Sequence, residues 1–292
     1  MQILPILDDR FLKTHISKMS VSVLQITEKK DISNVLAMLS ARFPWNEQFS
    51  HLKRVRAFKC DNVTLFQIIV TTEEQFNDEC DDIISQLKNV GEIITVEVPS
   101  ECPLTRTQFE NCKNFWPTNF HENKYISKCL TGKVFDEVAL QKILENFKKL
   151  MSLSCETNNV NAALALHKDN IVTYATSDYN YPLKHAVMCL IDAVAQKQLT
   201  QTSKNNDNEE IPYLLRGNDV FVIQEPCVMC SMALIHSRVK RLFFINKASD
   251  LNKLSCCPED TAITSMKLHV GNKLNHRFEA WKITLNTKNI SD

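Results

Sequence analysis

Asp219-Val-Phe-Val-Ile-Gln-Glu-Pro-Cys-Val-Met-Cys-Ser-Met-Ala-Leu-Ile-His-Ser-Arg238 carries more structural information than any other stretch of the chain. Its first five residues form a short apolar run rich in Val, Ile and Phe, which suits a strand buried on both faces of a sheet. A helix is expected from Cys227, and Arg241-Leu-Phe-Phe-Ile245 returns as a strand, so the run closes a β-α-β step. Pro226 stands at the helix start, where a missing amide proton costs least. Cys227 and Cys230 therefore sit among unpaired N–H groups at the positive end of a helix dipole. That setting lowers thiol pKa values, and two cysteines three apart can face one metal ion. Cys-x-x-Cys alone fits zinc, dithiol redox chemistry or two packed thiols.

Upstream, Ala162-Ala-Leu-Ala-Leu-His and Ile171-Val-Thr-Tyr-Ala-Thr read as strands around the hairpin signal Lys168-Asp169-Asn170. Helices are expected from Phe135 to Leu153 and from His185 to about Gln198, followed by a polar loop from Thr200 to Glu210. Pro182 marks the entry to the His185 helix. Two helix starts from one sheet edge would bring His185, Cys227 and Cys230 together as a two-cysteine, one-histidine site with an open fourth position. Cys189 lies one turn beyond His185 and reads as a small core residue before it reads as a fourth ligand. Cys256 and Cys257 are adjacent, so their side chains point apart on an extended segment; they are taken as ordinary thiols.

The first hundred residues carry another pattern. Ser20 to Thr27 alternates like a strand, Asp31-Ile-Ser-Asn-Val-Leu-Ala-Met-Leu has helical spacing, and strand-like runs span His51 to Cys60 and Val63 to Thr71, parted by Asp61-Asn62. Glu73 to Val90 reads as one helix with Phe76, Cys80, Ile83, Ile84 and Leu87 on a stripe, and Glu92 to Val98 alternates again. The order β-α-β-β-α-β is that of a ferredoxin-like α+β domain. Pro99 to Gly132 loses periodicity and gathers Pro103, Phe115, Trp116, Pro117, Phe120 and His121, as an aromatic-anchored connector would. The expected division is 1–100 as a small α/β domain, 101–134 as connector and 135–292 as a second α/β domain.

Composition narrows the functional classes. The 292 residues are 44% hydrophobic and 23% charged, with 34 basic against 34 acidic side chains, so no global basic footprint marks a nucleic-acid binder. Any such partner must be met by local patches. Only 4 glycines occur, against about 20 at average usage, which excludes Walker and Rossmann phosphate loops. Eleven cysteines, an odd count, point to a reducing compartment where thiols stay free or hold metal. Met1-Gln-Ile-Leu-Pro-Ile-Leu meets Asp8 and Asp9 too soon for a signal peptide, and no apolar run is long enough for a membrane span.

His185-Ala-Val187 followed by Pro226-Cys-Val-Met-Cys230 resembles the zinc nucleoside and nucleobase deaminases, whose signature is His-x-Glu and Pro-Cys-x-x-Cys. Glu225 to Arg238 is similar to the tRNA adenosine deaminases within that superfamily. The resemblance covers roughly residues 161–283. It implies a cytidine-deaminase-like α/β/α domain with one zinc ion on His185, Cys227 and Cys230. Where those enzymes place the glutamate that shuttles protons, this chain has Val187, which can neither accept nor donate one. Positioned acid–base catalysis is worth about 10²–10⁴-fold, and that share is forgone. Glu225 is a poor substitute, because similar sequences that keep the shuttle glutamate also carry Glu at that place.

Phe115-Trp-Pro-Thr-Asn-Phe-His121, Tyr181-Pro-Leu-Lys-His-Ala-Val-Met188, Pro212-Tyr-Leu-Leu and Leu274-Asn-His-Arg-Phe278 extend the resemblance. They are similar to the non-catalytic subunits of eukaryotic heterodimeric tRNA wobble adenosine deaminases. Leu254-Ser-Cys-Cys-Pro-Glu departs from the glycine-rich turn usual there. The resemblance implies a structural zinc, a catalytic deaminase subunit as partner, and tRNA held by its body and anticodon arm. It also implies cytoplasmic and nuclear localisation and no membrane partner. Candidate RNA contacts are Lys53, Arg54 and Arg56 in the first domain, then Lys148 and Lys149, Arg238, Lys240 and Arg241, and His276-Arg277. Rival readings are a self-sufficient zinc deaminase with a non-standard acid, a thiol oxidoreductase using Cys227-x-x-Cys230, and an RNA-binding module without a deaminase partner.

Overall fold

The computed structural model describes residues 2–60, 63–77, 81–157, 159, 161–202, 213–246 and 261–284. Cys80, Cys256, Cys257, the Asp61-Asn62 turn, Pro212, the 254–259 turn and most of the polar 200–210 loop lie outside them. The chain forms two compact units: Asp9–Ser127, and Met1–Asp8 with Lys128–Asp292. The expected division was 1–100, 101–134 and 135–292. Connector residues 101–127 fall in the smaller unit, whose core takes Trp116, while 128–134 and the first eight residues fall in the larger unit.

The chain opens with β1 (Gln2–Pro5), a strand of the larger unit, and α1 (Asp9–Leu12). The smaller unit continues with β2 (Lys18–Ile26), α2 (Ile32–Arg42), β3 (Val55–Cys60), β4 (Val63–Thr72), α3 (Glu73–Asn77), α4 (Asp81–Val90) and β5 (Glu92–Pro99). Its sheet is antiparallel in the order β3-β4-β2-β5, so β4 lies between β2 and β3 in a split βαβ connection. Leu24, Ile26, Ile68 and Val70 pack with Val35 and Leu39 of α2 and Leu87 of α4. The other face is also covered: Val21, Val23, Ile69 and Val98 pack with Phe49, Leu52 and Trp116. Trp116 is fully buried, and its indole N–H donates to Lys53 O at 2.7 Å. Gly91 is required where α4 hands over to β5, since a Cβ there would lie 2.2 Å from Gln25 O.

Two local expectations change. Residues 51–54 form a turn before β3 rather than its first half. The described residues of the Glu73 to Val90 stretch are helical, over Glu73–Asn77 and Asp81–Val90, as expected. The connector holds α5 (Arg106–Cys112), started by a capping box in which Thr105 and Gln108 bond each other's backbone, and α6 (Lys124–Leu130). Helices of seven residues are too short to show an apolar stripe.

The larger unit adds α7 (Glu137–Glu156), β6 (Ala162–His167), β7 (Asn170–Thr176), α8 (Ala186–Thr202), β8 (Asp219–Gln224), α9 (Val228–His236), β9 (Arg241–Asn246) and β10 (Glu279–Thr284). The sheet order is β1-β10-β9-β8-β6-β7. Strands β8, β9 and β10 are parallel, while β6 runs antiparallel to β8 and β7, and β1 to β10. The β6–β7 hairpin turns at Lys168 and Asp169, both with positive φ, as a two-residue turn of this twist requires. One face packs Phe147 and Leu150 of α7 on Leu164, Phe221, Phe243 and Trp281. The other packs Leu190 and Val194 of α8 and Leu234 of α9 on Ala163, Val220, Val222 and Phe244. The result is the three-layer α/β/α arrangement expected of the second domain. Among the described residues no helix is long and apolar enough to cross a membrane.

Candidate metal centre

Two helix starts converge at one end of the parallel strands. Cys227 follows β8 and is the N-cap of α9, in extended conformation at ψ 174°. His185 precedes α8 and holds its first turn, with the Cys189 amide donating to His185 O at 3.0 Å. Ser177, which sequence reasoning missed, fixes this entry by accepting from the Ala186 amide at 3.0 Å. Its only sequence signal is a small hydroxyl residue just after a strand.

The His185 Nδ1 atom lies 3.4 Å from Cys227 Sγ and 3.5 Å from Cys230 Sγ, and the three ligand atoms all fall within 4.8 Å of one another. Tetrahedral zinc, with Zn–S about 2.3 Å and Zn–N about 2.0–2.1 Å, sets S–N separations of about 3.5 Å. The donor set and its spacing fit zinc. The Cys227 thiol is pushed down to about 5, chiefly by hydrogen bonding from Cys230, with the charge of His185 adding and burial opposing. A thiolate ligand is therefore ready at neutral pH. Cys189 does not join the cluster; its thiol donates to Lys184 O at 3.6 Å, and burial raises its pKa.

Val187, two residues beyond His185, is 4% exposed and packs in the apolar core with Ala186 and Leu190. No proton carrier stands in its place. Glu225, the possible substitute, is buried and already engaged. Its Oε1 accepts from the amides of Ile263 at 3.0 Å and Thr264 at 2.7 Å, and the Thr264 hydroxyl also bonds the carboxylate. The carboxylate anchors the 261–265 turn.

The basic candidates divide into committed and open groups. Arg54 donates to Phe43 O at 2.9 Å, and Arg56 donates to Phe115 O at 2.6 Å and Gln67 Oε1 at 2.7 Å while its guanidinium lies 4.1 Å from the Trp116 ring centre. Burial lowers both arginine pKa values. Arg54 and Arg56 thus brace the smaller unit, and Lys53 beside them is exposed. Arg241 holds the Asp219 carboxylate with two guanidinium nitrogens, which occupies the fork that a phosphate would need. Lys148 and Lys149 are exposed on α7. Arg238, Lys240, His276 and Arg277, from two separate segments, line one groove together with Arg216, which sequence reasoning missed.

Residues 135–246 match the family model of the cytidine and deoxycytidylate deaminase zinc-binding region. Over 295 residues the chain is 32% identical to the "Probable inactive tRNA-specific adenosine deaminase-like protein 3" of Danio rerio, covering 88% of this chain and 84% of that protein. It is 28% identical over 245 residues to the "tRNA-specific adenosine deaminase subunit tad3" of Schizosaccharomyces pombe, covering 80% and 74% of the two. Over 277 residues it is 25% identical to the "tRNA-specific adenosine deaminase subunit TAD3" of Saccharomyces cerevisiae, covering 87% and 81%. With its deaminase zinc-binding region and its valine in the shuttle position, the chain belongs to the family of TAD3 subunits and inactive tRNA-specific adenosine deaminase-like proteins 3.

Proposed function

We propose that the chain is the non-catalytic subunit of a heterodimeric deaminase that converts adenosine to inosine at the tRNA wobble position. It helps position tRNA, and its partner is a catalytic deaminase subunit. His185, Cys227 and Cys230 hold one structural zinc ion per chain, and the complex works in cytoplasm and nucleus. The observation that carries this reading is Val187, buried in apolar core two residues beyond His185, with Glu225 tied to the 261–265 turn.

Zinc, when bound at such a site, supplies Lewis acidity and a water of lowered pKa. Attack at a purine C6 also needs a group that moves protons to the ring and the leaving nitrogen. Neither Val187 nor the engaged Glu225 supplies it. What the chain's own residues do is hold two helix starts in register, with the His185 ring against both sulfurs. A dithiol–disulfide enzyme has no need of that ring, and metal bound there would block the cycling on which it depends.

Metal analysis and co-purification test the proposal. The full chain purified from its own cells should carry about one zinc per chain and bring down a second polypeptide with an intact His-x-Glu and Pro-Cys-x-x-Cys signature. Cys227→Ala should abolish the metal. A well-folded, metal-free sample whose Cys227 and Cys230 cycle with a thiol–disulfide couple would replace the proposal with the redox reading.

A further inference from the structure

Parallel strands put all their N-terminal ends on one edge of a sheet. In this unit β8, β9 and β10 begin at Asp219, Arg241 and Glu279, and each is preceded by basic residues: Arg216, then Arg238 and Lys240, then His276 and Arg277. Although as many as 61 positions apart in sequence, these side chains line one open groove of about 560 Å³. A single carboxylate, Glu279, shares the lining. Among the described residues Arg216, Arg238 and Lys240 enter no ion pair.

The backbone presents the groove as a shaped surface. Arg238 is the residue after the α9 C-cap, at φ +59°, a place that glycine usually takes; here an arginine holds it. Gly217, at φ +79°, takes the chain past Arg216 into β8. Arg277 is braced by Nε and Nη2 donating to Gly271 O at 3.2 Å and Asn272 O at 2.8 Å, and His276 Nε2–H donates to Val239 O at 2.7 Å. The metal cluster lies beyond the opposite strand ends, and a strand of six residues such as β8 spans about 20 Å.

We infer that this groove is a phosphate-binding track for the RNA backbone, separate from the zinc end of the sheet, with Arg216, Arg238 and Lys240 as its contacts. The inference rests on the tRNA-positioning reading above and assigns part of that task to the deaminase-like unit. Cations at several points along an open groove suit a polyanion whose charges recur regularly, and each contact releases counterions from it. Arg241, tied to Asp219, sits outside the track.

The test is fluorescence anisotropy of labelled bulk tRNA against the full chain with its co-purified partner, over a series of salt concentrations. The Arg216→Gln, Arg238→Gln, Lys240→Gln triple variant should bind at least tenfold more weakly and flatten the log K against log salt slope by about two. Lys148→Gln with Lys149→Gln should bind like the wild type. Lys240→Gln alone should weaken binding about two- to threefold, and it serves if the triple variant loses zinc or melts early. Wild-type affinity and slope in these groove variants would overturn the groove while leaving the subunit reading intact, as would equal losses in the α7 double variant. Failure of the wild-type complex to bind tRNA at low salt would overturn both the groove and the tRNA-positioning reading.

Discussion

Val187 and Glu225 are both buried within a few residues of the His185, Cys227 and Cys230 cluster; Val187 carries no group that moves a proton, and the Glu225 carboxylate already accepts two amides. Val187 packs against core, so Val187→Glu would place a carboxylate among Ala186, Leu190 and their neighbours. An unpartnered buried polar group costs about 1–3 kcal/mol, more when charged, so this variant should melt earlier than the wild type in thermal unfolding. Glu225 has the opposite problem: its charge is fully used. Glu225→Gln keeps the shape but weakens two amide bonds and a hydroxyl bond, with an expected loss of about 1.5–3 kcal/mol in denaturant melts. Inosine formation by the complete complex should persist in this variant. A selective loss of turnover with unchanged stability would return Glu225 to the chemistry. The clustering of His185 with Cys227 and Cys230, and the valine beside it, were legible because they belong to two short local motifs. The engagement of Glu225 was not, since its partners lie nearly forty positions away and no residue type announces them.

Elements with an alternating run or clear turn residues were read from their periodicity, even where they pair across the chain as β2 and β5 do, and the short strands without such a run were not. The β6–β7 hairpin and the β8–α9–β9 step follow from alternation and turn residues within thirty positions. β1 and β10 are short edge-side strands joined at Gln2↔Thr284 through Pro5↔Trp281, and neither has an alternating run long enough to stand out. His269 locks this junction: fully buried, it bonds Ile6 O at 2.9 Å and lies against Phe278. Burial lowers its pKa from 6.5, with the Ile6 contact opposing. The folded state therefore keeps the ring neutral, while the unfolded chain takes up a proton as pH falls below 6.5. Stability from this group is complete above that pH and drains away below it. Urea melts at pH 7.5 and 5.5 should show the wild type losing stability on acidification. His269→Gln, less stable at pH 7.5, should lose less between the two.

At the scale of the whole molecule, two units carry separate cores, and the zero formal charge conceals how basic groups are used. Arg54, Arg56 and Arg241 are structural, while Arg216, Arg238 and Lys240 face an open groove. Sequence shows that a residue is cationic, and only the fold shows what already occupies it. Trp116 exemplifies this for packing: it was visible as part of an aromatic cluster, but its place in the core of the smaller unit was not. Trp116→Ala should cost that unit about 3–5 kcal/mol while the zinc content of the other stays at the wild-type level, a split that metal analysis beside a melting curve will register.

This deaminase-like unit serves a reaction it does not itself perform. Inosine formed in tRNA by the purified chain alone, by the chain with its catalytic partner, and by the same pair carrying Cys227→Ala tests it directly. The chain alone should form no inosine, the pair should turn over fully, and breaking the metal site of this subunit should reduce turnover. Turnover by the isolated chain that disappears in Cys227→Ala would contradict it and make this unit an enzyme in its own right.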